Sequence, residues 1–239
     1  MNVLIVYAHP EPQSFNGALK DLAVSELTTL GHQVKVSDLY AMNFKAVADC
    51  DDFVRLQNED FLKYAVEQKH AVKTNGFSKD IQEEQEKLLW ADFVIFQFPL
   101  WWYSVPAILK GWFDRVFAPG FIYSRDMRYD TGGLKGRKAM LTTTTGSPKH
   151  AYTPYGMDGD IYEKILYHIN HGMLYFSGME SVEPFIAWTP SHDENDRKRY
   201  LEEYKERLYH LSEVPSIPYH PTSHYDEDHQ LKMEYRKEK

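Results

Sequence analysis

Hydrophobic and polar positions along this chain fall into blocks whose period keeps changing. Residues 3–8 form a continuous apolar run of strand length, as expected of a strand buried on both faces. Residues 14–30 then place Leu19, Leu22, Ala23, Leu27 and Leu30 on one helical face. Gly31 follows, where a helix end favours a residue free to take positive φ. Residues 34–39 read as a second, half-polar strand nearer the sheet edge. Residues 41–79 are polar and irregular, with a helix over 60–72. Residues 81–90 predict a helix, 93–98 a wholly apolar strand, and 106–117 an apolar helix opened by Pro106. The pattern continues with a strand over 138–144, a His- and Tyr-rich helix over 161–176, a fifth strand over 182–187 and a charged helix over 193–212. Pro184 is compatible with the fifth strand only at a sheet edge.

Strands alternating with helices predict an α/β fold, a doubly wound five-stranded parallel sheet of order 2-1-3-4-5 with helices on both faces. The chain divides into one domain over 1–212 and a tail over 213–239. The tail holds Pro215, Pro218 and Pro221 before a charge-dense end, and reads as a wrapping or partly disordered C-terminal extension.

The net charge of −8 argues against nucleic-acid backbones and anionic membranes as partners. A single cysteine, Cys50, excludes an intramolecular disulfide framework and any cysteine-based metal site, and fits a reducing compartment. The opening residues read directly as a strand and not as a signal peptide. No apolar stretch approaches the ~20 residues of a membrane span. These readings together predict a cytoplasmic protein with no membrane insertion. His168 and His171, three apart on a helix, lack a third ligand and the H-E-x-x-H pattern, so no metal is expected. The run from His224 to His229 reads as solvated charge.

Candidate chemistry lies at the carboxyl ends of the strands, where sheets of this type bind ligands. After the first strand, Ser14 or Gln13 caps a helix whose free N–H groups suit a phosphate, with His9 and Asn16 as further donors. A plain helix cap explains the same residues. The chain has no G-x-G-x-x-G after a strand and no P-loop. After the third strand come Pro99, Leu100, Trp101, Trp102 and Tyr103. The aromatic content of 15% and this clustering suit a flat conjugated ligand, although Trp and Tyr are also enriched at interfaces. After the fourth strand, Thr144, Thr145 and Gly146 offer closely spaced donors and a close backbone approach.

The chain resembles the NAD(P)H:quinone oxidoreductases, flavodoxin-like flavoproteins of the long, FAD-using type. The resemblance rests on His9 with Ser14-Phe15-Asn16, on residues 38–44 and 91–100, on 105–117, and on Thr144-Thr145-Gly146, Tyr152 and Gly159-Asp160. It covers roughly residues 1–210. It implies a cytoplasmic homodimer with each site at the subunit interface. Hydride would pass from NAD(P)H as co-substrate, through FAD rather than FMN, to a quinone or similar flat acceptor in ping-pong fashion. His9, Ser14, Phe15 and Asn16 would hold the FAD diphosphate. Pro99, Leu100, Trp102 and Tyr103 would carry the ring, with Trp101 flanking it. Thr144, Thr145, Gly146 and Tyr152 would line the pyrimidine edge, and Asp114 and Arg197 the adenine end. Tyr123, Arg125 and Phe176 of the partner would meet substrate.

Two departures from the family pattern stand out. The catalytic pair has its tyrosine at Tyr152, but Asp158 stands where the family has histidine. An ionised carboxylate facing a reduced ring would repel it, unless protonated or turned away. Arg125 and Arg128 occupy less polar positions of mammalian-type members, favouring an anionic substrate or nicotinamide dinucleotide phosphates. Two other classes compete with the enzyme reading. One is a regulatory flavoprotein docking on a membrane transporter through residues 41–79 and the tail. The other is a one-electron carrier, against which chain length and the dense aromatic cover argue.

Overall fold

The computed structural model describes residues 1–236; the last three residues of the tail reading lie outside them. Five elements carry the first half of the sheet: β1 (Asn2–Tyr7), α1 (Phe15–Thr29), β2 (Gln33–Asp38), α2 (Tyr64–Thr74) and α3 (Lys79–Trp90). Then follow β3 (Phe93–Pro99), α4 (Ala107–Val116) and β4 (Lys138–Thr145). The chain closes with α5 (Tyr167–Ile169), β5 (Glu180–Ser181), β6 (Phe185–Trp188) and α6 (Glu194–Tyr209).

All strand pairs are parallel, in the order β2-β1-β3-β4-β5, and β6 also pairs with β4. The expected fifth strand is thus present in two pieces. Pro184 sits in the break, since it has no N–H for the ladder. The backbone at Val182 bonds Ala139, and its outer side is covered by the tail, where Ile217 donates to the Ser181 carbonyl at 2.8 Å.

Every residue of β3 is buried, because helices cover both sheet faces. On one face α3, α4 and the 161–175 segment supply Leu88, Leu109, Trp112, Ile165, Ile169 and Leu174. On the other, α1 and α6 supply Leu19, Ala23, Leu27, Tyr204 and Leu208. At roughly 1.5–3 kcal/mol for each large side chain buried, these layers outweigh any single polar contact.

Two expected elements take a different form. The helix expected over 161–176 is a π stretch (Ile161–Ile165), the single α turn α5 and a second π stretch (Asn170–Tyr175). Such wide turns insert a residue per turn and re-aim the side chains that follow. The irregular 41–79 segment is clamped to the body through Asp52 and Arg115 of α4. Asp52, fully buried, accepts from Arg115 at 3.0 and 2.9 Å and from the Tyr64 hydroxyl at 2.7 Å. Arg115 also meets Asp80 at 2.7 Å and the Lys45 carbonyl at 2.8 Å.

The tail runs across the sheet edge onto the 161–175 segment. Tyr219 packs against His171 and Tyr175, with ring centroids 5.0 and 4.9 Å apart. Tyr175 donates to the His220 carbonyl, and Asp130 accepts from the Thr222 N–H. His224 then stacks on Tyr235 at 3.6 Å. No helix is long and apolar enough to cross a membrane among the described residues.

Candidate active site

The carboxyl ends of β1, β3 and β4 lie side by side because the register pairs Tyr7 with Gln97 and Pro99 with Thr144. Thr144 joins the three loops that follow. Its hydroxyl accepts from the Asn16 side-chain amide at 2.9 Å, and its carbonyl accepts from the Leu100 N–H at 2.9 Å. Asn16 is buried, so one polar contact ties the start of α1 to the end of β4. Gln97, the one uncharged polar residue inside apolar β3, donates its amide to the Asn16 carbonyl.

Helix α1 is capped by Ser14, whose Oγ accepts from the Gly17 N–H at 3.1 Å. The loop backbone runs so close that a Cβ on Gly17 would meet the Pro12 carbonyl oxygen at 1.9 Å. His9 Nδ1 accepts from the Glu11 N–H at 3.0 Å and so holds the loop's turn. Among the described residues no acceptor meets the N–H groups of Phe15 and Asn16. Two donors at a positive helix end suit an anion.

The loop after β3 is a two-residue hairpin. Trp101 and Ser104 exchange N–H···O bonds of 3.1 and 3.0 Å, and Trp102 and Tyr103 fill the turn at φ of 51° and 59°. Turns of this kind require positive φ at both central positions and normally use Asn and Gly. Large aromatic residues there cost about 1 kcal/mol each, which points to a role beyond turning the chain. Trp102 is 95% exposed and Tyr103 49%, so neither repays that cost by burial within one chain. Trp101 leans toward the first loop, its ring 6.2 Å from that of His9.

Beyond β4, Thr145 bonds the Ser147 carbonyl at 2.8 Å, and a Cβ on Gly146 would meet nothing within 4 Å. Tyr152 is buried between Trp188, at 5.5 Å, and Tyr103, at 6.5 Å. Burial pushes the Tyr152 phenol up, and the charge of Asp158 adds to this. Asp158 accepts from the Tyr103 hydroxyl at 2.8 Å. That hydrogen bond in turn pushes the Tyr103 phenol up.

Four buried side-chain oxygens at this edge lack partners among the described residues: the Tyr7 hydroxyl, Asn16 Oδ1, Gln97 Oε1 and Thr143 Oγ1. Unsatisfied buried acceptors are uncommon and costly. They lie at the strand ends, among a rigid aromatic platform, a donor-rich Thr-Gly loop and a free helix start. That set fits a large planar group bearing polar edges and a phosphate, as a flavin does.

Other expected residues lie elsewhere. Asp114, on α4, pairs with Lys110 and lines a cavity of about 390 Å³ with Tyr123 and Phe176. The rings of Tyr123 and Phe176 lie 5.3 Å apart. Arg197, on α6 and so on the opposite sheet face, donates to the Pro190 carbonyl at 3.0 Å. One chain therefore does not bring Asp114 and Arg197 together. Arg125 lines a separate cavity beside Arg128. His168 contacts Ser104 Oγ at 3.1 Å while His171 stacks on Tyr167, so the two histidines have different partners. Ligand atoms of Asp49, Cys50 and Asp51 lie within 4.8 Å of one another, but Asp49 is engaged by Lys45 and caps its own turn. Gln97 and Trp188 were not singled out from sequence. A lone amide in an apolar strand is a usable signal for the first, and nothing comparable marks the second.

Comparison with known proteins identifies the family. A family model described as flavodoxin-like fold matches residues 1–208. Human ribosyldihydronicotinamide dehydrogenase [quinone] is 45% identical over 218 residues, covering 90% of this chain and 94% of that one. Rat NAD(P)H dehydrogenase [quinone] 1 is 41% identical over 237 residues, covering 98% and 86%. A crystal structure from Klebsiella pneumoniae, assigned provisionally as a quinone reductase, superposes with a TM-score of 0.94 at 42% identity, covering 98% of this chain and 95% of that one. With a family model matching residues 1–208 and relatives 41–45% identical over most of both chains, the chain belongs to the flavodoxin-like family of NAD(P)H:quinone oxidoreductases.

Proposed function

We propose that this chain is a flavin-dependent NAD(P)H:quinone oxidoreductase that holds FAD and acts as a homodimer. The carrying observation is the convergence of three loops on Thr144 beside the exposed left-handed Trp102-Tyr103 turn. When bound, the flavin supplies two-electron chemistry, taking hydride from NAD(P)H and returning it to a quinone.

The chain's own residues bind, orient and tune. His9, Ser14 and the N–H groups of Phe15 and Asn16 hold the diphosphate at the start of α1. Pro99, Leu100 and Trp101 form the floor, and Trp102 and Tyr103 the platform. Thr144, Thr145 and Gly146 address the polar edge. Tyr152, its phenol kept protonated by burial, holds a proton at its hydroxyl for donation to developing negative charge. Asp158, as acceptor of the Tyr103 hydroxyl, positions that ring, which gives the carboxylate a task other than facing the cofactor.

Asp114 and Arg197 sit on opposite faces of the sheet, an arrangement that a two-fold dimer accommodates by taking one from each subunit for a single adenine end. The same dimer brings Tyr123, Arg125 and Phe176 of one chain to the acceptor bound by the other. The nearly full exposure of Trp102, Tyr155 and Met157 supports a covering partner. One open face must then serve both substrates in turn.

Initial rates measured with NADH or NADPH against a small 1,4-benzoquinone test this reading. Parallel double-reciprocal lines are expected. Flavin-loaded protein that turns over neither nicotinamide with any quinone would contradict it.

A further inference from the structure

A cavity of about 650 Å³ lies between the 124–131 loop, the 161–175 segment and the tail. This volume falls within the range of small-molecule sites. Its walls are aromatic: Tyr129, Tyr167, His171, Tyr175 and Tyr225 line it, with Tyr167 and His171 stacked at 4.8 Å and 8°. Burial pushes the Tyr167 phenol up and the Tyr175 phenol up to about 12, so both remain neutral donors.

The cavity also carries charge. Arg125 and Arg128 both line the cavity, and neither has a carboxylate within salt-bridge distance among the described residues. Three acidic residues are near, and two of them, Asp126 and Asp226, line the cavity themselves. Asp226 is turned onto its own tail, accepting from the N–H groups of Asp228 and Gln230, while Asp126 is exposed to solvent. Asp130, on the same loop, is taken by the Thr222 N–H. In a chain of net charge −8, two guanidiniums free of salt bridges in a tyrosine-lined cavity offer charge-assisted donors to an anion beside ring-binding walls, with Asp226 held by its own backbone and Asp126 exposed.

We propose that this cavity binds planar aromatic anions, a carboxylate or sulfonate meeting Arg125 and Arg128 while the ring lies among the tyrosines. The proposal deepens the role given to Arg125 above and rests on that reading for the ligand's place near the acceptor. The cavity itself is complete within one chain, and so the test reads binding and not turnover.

Calorimetric titration of the full chain with naphthalene-2-sulfonate, in parallel with neutral 2-naphthylmethanol, examines it directly. The sulfonate should bind at least tenfold tighter than the alcohol. The double variant R125Q/R128Q should lose about tenfold for the sulfonate and nothing for the alcohol, with melting temperature and flavin content unchanged. W102A should retain sulfonate binding. Equal affinity for the two probes, or an unchanged sulfonate Kd in R125Q/R128Q, would overturn the proposal. Loss of sulfonate binding in W102A would also overturn it, because the ligand would then sit on the Trp102 platform. Loss of flavin or turnover with sulfonate binding intact would count against the redox reading alone.

Discussion

At the scale of single residues, Trp102 and Tyr103 are held at positive φ in a two-residue turn where the backbone alone would favour Asn and Gly. Because Trp102 is 95% exposed, W102A should leave stability within about 0.5 kcal/mol of the parent. Flavin affinity should fall by about 1–3 kcal/mol, the worth of a buried aromatic face. Thermal melting and flavin titration on the same preparation separate the two effects, and full flavin retention would remove Trp102 from the platform. Tyr152 makes the complementary case: Y152F should lower quinone turnover about a hundredfold with flavin content unchanged. Unaltered turnover would take its hydroxyl out of the reaction. Trp102 is legible in the sequence, since aromatic residues directly following an apolar strand stand out, whereas Tyr152 enters only through the family resemblance. The Tyr103–Asp158 hydrogen bond is not legible, because it joins two loops 55 residues apart whose approach depends on the fold.

At the scale of elements, periodicity locates β1 to β4 and the helices α1, α3, α4 and α6, because each buries a continuous face or stripe. It misplaces what depends on partners. The fifth strand is split at Pro184, with tail residues covering its outer side. The 161–175 segment widens into π turns that no single-residue preference signals. The 41–79 segment, polar and irregular by sequence, is anchored by buried charge, where Asp52 is wholly buried against Arg115, Lys45 and Tyr64. Removing one partner of such a pair strands the other in low dielectric, at a cost of about 3–5 kcal/mol. D52A should therefore lower the melting temperature by about 10 °C, which calorimetry would read. A shift of only a degree or two would show that this cluster does not hold the segment in place.

At the scale of the whole molecule, the doubly wound sheet assembles the site by register alone, setting Pro99 beside Thr144 and the start of α1 beside both. The family's relatives span nearly the full chain. What one chain does not assemble is equally clear: Asp114 and Arg197 face opposite sides of the sheet, and Trp102 stands uncovered. Both observations support the proposed homodimer, which periodicity and composition do not signal. The most direct test of the central claim is the absorption spectrum of purified protein, followed by release and mass analysis of its bound small molecule. A flavin spectrum, with FAD released at about one per chain and in reduced amount from W102A, is expected. Protein that is colourless as isolated and takes up neither FAD nor FMN on titration would contradict the account.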